Sequence, residues 1–163
     1  MYLIFVSSIN ENMRLAEMLK KQLDEMGVEN KIINLVKLDL PMYTSKEEER
    51  GIPLIVKELV KSMKESKGYI FVAPEYNYNL PPVLVNAICW ISRNSDDFRE
   101  AFDSKPIQLA THSGGEAAEL LKIMRMQFSK LGAKMMETEI ITTYEKALDL
   151  KSTKHILENF IQK

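Results

Sequence analysis

Cysteine is almost missing from this 163-residue chain: Cys89 is the only one, so no internal disulfide is available. There are only two histidines and no His/Cys cluster with metal-ligand spacing, which leaves a zinc site without support. Charge of one sign is lacking too. The 22 Lys+Arg against 23 Asp+Glu give a net charge of −1, and no basic stripe marks a nucleic-acid or anionic-membrane binder. No apolar run approaches the roughly 20 residues a membrane span needs. The opening MYLIFVSS has neither a basic n-region nor a small-residue cleavage site, so it does not read as a secretory leader. Cytoplasmic residence is the expectation.

What is present is 45% apolar residues in a regular alternation. Tyr2–Val6 reads as a buried strand. Asn10–Met26 reads as a helix with Leu15, Leu19, Leu23 and Met26 on one stripe and Gly27 as its stop. Lys31–Leu35 is a second strand, and DLPMYTSKEEER is a loop whose charged end leads on to further helix. Gly51-Ile52-Pro53 opens a helix whose inner face carries Ile52, Ile55, Leu59 and Met63. Tyr69–Ala73 is a third strand and Pro81–Arg93 a third long helix. Pro106–Thr111 is a fourth strand, followed by a helix over Glu116–Lys130 that ends at Gly132. Thr138–Thr143 is a fifth strand, and Glu145–Gln162 closes the chain as a helix. Five strand–helix units without a linker or repeat predict one α/β domain over residues 1–163. Right-handed crossovers then predict a doubly wound parallel sheet in the order 2-1-3-4-5.

In such a sheet ligands bind outside the carboxyl ends of the strands. Three segments lie there: SSINENM after the first strand, PEYNYNLPP after the third and THSGGE after the fourth. Ser8 or Asn10 suits a helix cap, and the hydroxyl- and amide-rich first segment also suits a phosphate. Glu11 competes for the same helix end, and Arg14 lies one turn on to offset it. The glycines after the fourth strand form either a plain turn or a surface that a flat ligand can approach closely. His112 has no neighbours in sequence that would complete a triad. Two tyrosines and two asparagines in PEYNYN offer aromatic faces and amide edges, the mixture that a planar amphipathic ligand requires.

APEYN followed by LPPVLVNAICW resembles the signature of the NADPH-dependent FMN reductase family. Pro74, Glu75, Tyr76, Asn77, Pro81, Leu84, Asn86, Ala87, Ile88 and Trp90 stand at matching positions. LDLPMY at 38–43 and SGG at 113–115 resemble two further loops of that family. The resemblance implies a flavodoxin-like fold, FMN as cofactor, NADPH or NADH as hydride donor, and a small-molecule electron acceptor such as a quinone, free flavin, azo compound or metal oxyanion. It places Ser7, Ser8, Asn10 and Asn12 on the phosphate side of FMN. Pro74, Glu75, Tyr76 and Asn77 fall along the ring system, with Ser113, Gly114 and Gly115 opposite, and no residue of the chain serves as acid or base.

The first loop departs from the family pattern in having no glycine or arginine and in adding Glu11. Val85 and Cys89 replace a Lys and an Asp that lie four apart on the family's third helix. Since the family uses that helix between subunits, Val85, Cys89 and Trp90 are expected in an apolar homodimer or homotetramer contact through Pro81–Arg93. Two rival readings are a flavodoxin-like electron carrier, which its near-zero charge disfavours, and a non-catalytic relative acting as a binding subunit. A phosphoryl-accepting receiver domain needs acidic residues where Ser7-Ser8 and Pro74-Glu75 stand.

Overall fold

The computed structural model describes residues 1–163. Strand β1 (Tyr2–Val6) leads to α1 (Glu11–Glu25), β2 (Asn30–Asn34), the short α2 (Ser45–Glu48), α3 (Leu54–Glu65) and β3 (Tyr69–Val72). Then follow α4 (Pro82–Arg93), β4 (Pro106–His112), α5 (Ala118–Lys130), β5 (Lys134–Met135), β6 (Ile140–Thr142) and α6 (Leu150–Ile161). The strand order is β2-β1-β3-β4-β5, with β6 also pairing β4, and every pairing is parallel. This is the flavodoxin-like doubly wound sheet that the sequence predicts.

Both faces of the sheet are covered, so β1 and β3 are buried at every residue. Side-chain alternation divides the core in two. Leu3, Phe5, Tyr69, Phe71, Ile107 and Leu109 point toward α3, α4 and α5. Tyr2, Ile4, Val6, Ile70, Val72 and Ala110 point toward α1 and α6. On the first face Phe5 stacks on Phe71 at 4.7 Å, and Phe71 meets Phe128 at 4.3 Å. Each such fully buried side chain contributes about 1.5–3 kcal/mol relative to exposure. None of the helices is both long and apolar enough to cross a membrane.

Gly27 ends α1 as expected. Its φ of +70° lets Val28 N donate to Leu23 O at 2.9 Å and Gly27 N donate to Asp24 O at 2.9 Å, the double bond of a Schellman stop.

Four local expectations need correction. Ile55, expected on the inner face of α3, is exposed, and Val56 and Val60 are buried there beside Leu59 and Met63. The fifth strand position is filled by two pieces: β5 pairs with Pro106 and Ile107, and β6 pairs with Ala110, Thr111 and His112. Between them, opposite Gln108, the chain leaves the ladder, and the Gln108 side-chain amide donates to Thr138 O at 2.7 Å. The last helix starts at Leu150, not Glu145. Residues 143–146 close a turn instead, with Thr143 N donating to Lys146 O at 2.9 Å, and the Asp149 carboxylate caps the helix by accepting from Ser152 N. The segment after β2 contains the single-turn α2, capped by the Thr44 hydroxyl.

Candidate active site

The register brings the strand ends to one edge. Val6 pairs with Val72, Val72 with Ala110, and Ala110 with Ile140. The three segments that follow β1, β3 and β4 therefore leave the sheet side by side at the switch point between β1 and β3.

Direct bonds tie these mouths together. Ser7, buried, donates through its amide at 3.1 Å and its hydroxyl at 3.3 Å to Val72 O. Asn12, also buried, crosses to the end of β4: its Nδ2 donates to His112 O at 2.8 Å, and its Oδ1 accepts from His112 N at 2.8 Å. This two-bond strap uses both ends of the Asn12 amide, so Asn12 positions the first loop and its side chain is not free for a phosphate. The His112 ring approaches Thr142 Oγ1 at 3.0 Å through Nδ1 and meets the Tyr144 ring edge-on at 4.9 Å.

The first loop is rich in unpartnered donors. Asn10 occupies the N-cap of α1 but makes no side-chain cap bond, and Ser8 Oγ accepts from Asn10 N at 3.3 Å. The amides of Ser8, Ile9, Glu11 and Asn12 donate to no acceptor in the chain. Free amides at a helix start, on which the helix dipole also acts, make an anion cradle. Glu11 carries the opposing charge, and Arg14 Nη1 draws it aside at 2.7 Å.

The second mouth is a two-residue hairpin. Tyr76 and Asn79 exchange both backbone bonds, at 3.1 and 3.0 Å, across Asn77 (φ +50°) and Tyr78 (φ +59°). Positive φ at both central residues is the mark of a type I′ turn. The amides of Asn77 and Tyr78 take no part in the hairpin bonds and donate to no acceptor in the chain. Tyr76 is half-exposed and Tyr78 is 76% exposed. Glu75 has a role that sequence reasoning missed. Ala117, the residue before α5, is left-handed and cannot cap with a side chain, and Glu75 Oε2 accepts from Leu120 N at 3.1 Å in its place. Its carboxylate thus fixes α5 against the second mouth.

At the third mouth, Ser113 N donates to Thr142 O at 3.1 Å, and the Gly114 amide is free. Neither Gly114 nor Gly115 has a positive φ, and a Cβ at either would meet no atom of the chain within 4 Å. The chain's own packing gives no reason for glycine at these positions, which is the condition expected where something outside the chain approaches the backbone.

Beside the hairpin lies a groove of about 620 Å³ lined by Met42, Tyr43, Tyr76, Asn77, Val85 and Cys89 among others. The loop after β2 forms its far wall. Asn86 Oδ1 accepts from Tyr43 N at 2.7 Å while its Nδ2 donates to Pro41 O at 3.1 Å. Trp90 Nε1 donates to Pro41 O at 2.7 Å, and its ring meets Tyr43 edge-on at 5.3 Å. Trp90 is fully buried, so the expectation that it joins a subunit contact is corrected: it anchors a loop of its own chain. Tyr43 and Arg93 both donate to Glu48, at 2.6 and 2.7 Å. These bonds hold the Glu48 carboxyl below its ordinary value and raise the Tyr43 phenol. Met42, Tyr43 and Asn86 carried a sequence signal only in the LDLPMY loop and in the asparagine of the VNAICW segment.

A quinone reductase of Escherichia coli is 37% identical over 78 residues, a match covering 47% of this chain and 40% of that protein. FerB, a flavoenzyme NAD(P)H:(acceptor) oxidoreductase of Paracoccus denitrificans, superposes with a TM-score of 0.79 at 21% identity over 99% of this chain and 94% of its own. A flavodoxin from the domain Archaea superposes with a TM-score of 0.69 at 13% identity, over 99% of this chain and 97% of its own. The family model for NADPH-dependent FMN reductases matches residues 2–146, and the chain belongs to that family.

Proposed function

We propose that this protein is an FMN-dependent NAD(P)H oxidoreductase of one domain that reduces a small acceptor, with quinones foremost. The observation that carries the reading is the set of unpartnered backbone amides at three adjoining mouths: Ser8, Ile9, Glu11 and Asn12 at the first, Asn77 and Tyr78 at the second and Gly114 at the third. FMN fits that donor set, with an anion at one end and a polar-edged plane at the other. When bound, it supplies the hydride-accepting and electron-donating chemistry.

The chain's own residues bind and orient. The four first-loop amides and the Ser8 hydroxyl serve the phosphate, with Asn10 at the rim, while the Ser7 hydroxyl holds the loop to the end of β3. The amides of Asn77, Tyr78 and Gly114 are fixed donors for the polar edge of the ring system, where preorganised N–H groups stabilise developing negative charge. Pro74 directs the chain out of β3, Glu75 locks α5 beside it, and Tyr76 and Tyr78 wall the open side against water. Ser113 and Gly115 complete the third mouth. No acid–base pair is needed for hydride transfer, and none is assigned.

The aliphatic and aromatic groove beside the hairpin favours an apolar planar acceptor, which is the support for quinones over metal oxyanions. The quinone reductase name of the E. coli relative points the same way. The partly exposed Val85 with exposed Met42 supports self-association through α4, as a homodimer or homotetramer in the cytoplasm. Light scattering at micromolar concentration reads this directly, and a monomer would rule it out.

Anaerobic mixing of the FMN-loaded protein with NADPH tests the main reading. Loss of the visible absorbance of oxidised flavin and its return on adding benzoquinone are expected. A flavin that stays oxidised would instead favour the electron carrier.

A further inference from the structure

We infer that a pocket between β4 and α6 binds an uncharged ligand that joins an apolar ring to an N–H donor, and that Gln108 Oε1 receives the N–H. The site is separate from the three mouths and does not depend on the flavin reading. Its volume is about 410 Å³, and it lies where the edge of the sheet is split. There β5 ends at Met135 and β6 begins at Ile140, and Met135 and Met136 form one wall. Ile107 and Leu109 face α3, α4 and α5 while Ala110 faces α1 and α6, so strand alternation turns Gln108 toward α6. Ile156 and Asn159 of α6 form the other wall.

Gln108 is what points to a ligand. It is fully buried, an amide set between Ile107 and Leu109 in a strand covered on both faces. Its Nε2 donates to Leu109 O at 2.9 Å and to Thr138 O at 2.7 Å. Two carbonyl acceptors fix the orientation of the amide, because turning it over would set Oε1 against both oxygens. Oε1 is thus the free end, and no group of the chain donates to it. A buried acceptor without a donor costs free energy, and such groups are almost always paired. One water, at about 30 Å³, would satisfy Oε1 but fill little of the pocket. Further waters would lie against Met135, Met136 and Ile156, which favour an apolar body. Thioethers also make favourable contacts with aromatic rings. At the rim stand Glu137 and Lys163, exposed and of opposite sign, so the pocket selects no net charge. An aryl amide meets these demands: its N–H reaches Gln108 Oε1, its ring covers the methionines, and its carbonyl faces the rim.

The probes N-methylbenzamide and methyl benzoate have nearly the same shape and differ in whether an N–H or an oxygen follows the carbonyl. Titrating each into the full chain, followed by proton–nitrogen NMR, tests the site without any turnover. The amide should shift the Gln108 side-chain signal and the Thr138 backbone signal saturably and leave Gly114 at the third mouth unmoved. The ester should bind about tenfold more weakly, and protonated benzylamine no more tightly than the amide. Gln108→Met, which keeps the length and removes the amide, should make amide and ester equal. Asn159→Trp, at an exposed position of α6, should block the pocket and abolish the Thr138 shift without touching Gln108. Equal affinity of the unmodified chain for amide and ester would overturn the assignment, as would tighter binding of benzylamine or binding that persists in Asn159→Trp. So would the absence of any shift at Gln108 up to about 10 mM amide, which would leave a bound water as the only partner of Oε1.

Discussion

Tyr78 is the residue whose backbone asks most. A left-handed conformation costs a non-glycine residue about 1–2 kcal/mol, and asparagine bears it better than tyrosine. Asn77 is therefore well suited to the first central position of the hairpin and Tyr78 is poorly suited to the second. At 76% exposure the Tyr78 ring gains little from packing within the chain. Tyr78→Gly should raise the stability of the isolated protein by about 1 kcal/mol, read as a higher urea midpoint. A lower midpoint would mean the ring is held by contacts of its own. Glu11 poses the opposite case. Its carboxylate sits in the first turn of α1, where it favours the helix and competes with a bound phosphate. Glu11→Gln should tighten FMN binding about two- to fivefold in a fluorescence-quenching titration while leaving thermal stability unchanged or slightly lower. Weaker binding would show that Glu11 serves the site. Neither the Asn12 strap nor the Glu75 cap was legible in the sequence, because each partner is a backbone group 100 or 45 residues away. The family resemblance marked both residues for the cofactor, Asn12 on the phosphate side and Glu75 along the ring system, and not for these structural bonds.

At the scale of elements, the strands and long helices followed from periodicity and stop signals. Tyr2–Val6 and Gly27 appear where the sequence puts them, because a doubly buried strand and a left-handed helix stop depend on local residue types alone. The split edge position did not follow. Two residues, Lys134 and Met135, have no period to read, and what makes them a strand is the neighbouring β4. The last helix starts at Leu150 rather than Glu145, since the residues of the Thr143–Lys146 turn are helix-compatible and the turn is set by its own hydrogen bonds.

The loop after β2 gives a pH prediction. Glu48 joins that loop to α4 through hydrogen bonds from Tyr43 and Arg93, which lower its pKa from the ordinary 4.5. A carboxyl with a lowered folded value contributes stability above its ordinary pKa and loses it as pH falls through the folded value. Trp90 is the single tryptophan, and its Nε1 donates to Pro41 O of the same loop, so its emission reports release. In acid titration Trp90 emission should shift to the red only below the ordinary carboxylate range, and Glu48→Gln should show the shift already at neutral pH. An unchanged emission in Glu48→Gln would leave Asn86 and Trp90 as the only effective anchors.

For the whole molecule, what matters is that the parallel register places three unrelated loops at one edge. Charge contributes little at this scale. With 22 basic and 23 acidic residues, the net charge of −1 gives little overall attraction for a charged partner, and recognition falls to local groups at the mouths and grooves. The sequence located the mouths through the fold, because topology alone determines which loops meet. It did not tell which atoms there stay free, since that depends on where every other hydrogen bond of the chain goes.

The most direct measurement is an equilibrium titration of FMN and, separately, of riboflavin into the purified chain, followed by quenching of flavin fluorescence. Three mouths acting together predict saturable one-to-one binding of FMN, with riboflavin held at least about tenfold more weakly because it leaves the first-loop amides without their anion. Absence of quenching with FMN, or equal affinity for the two flavins, would contradict the account.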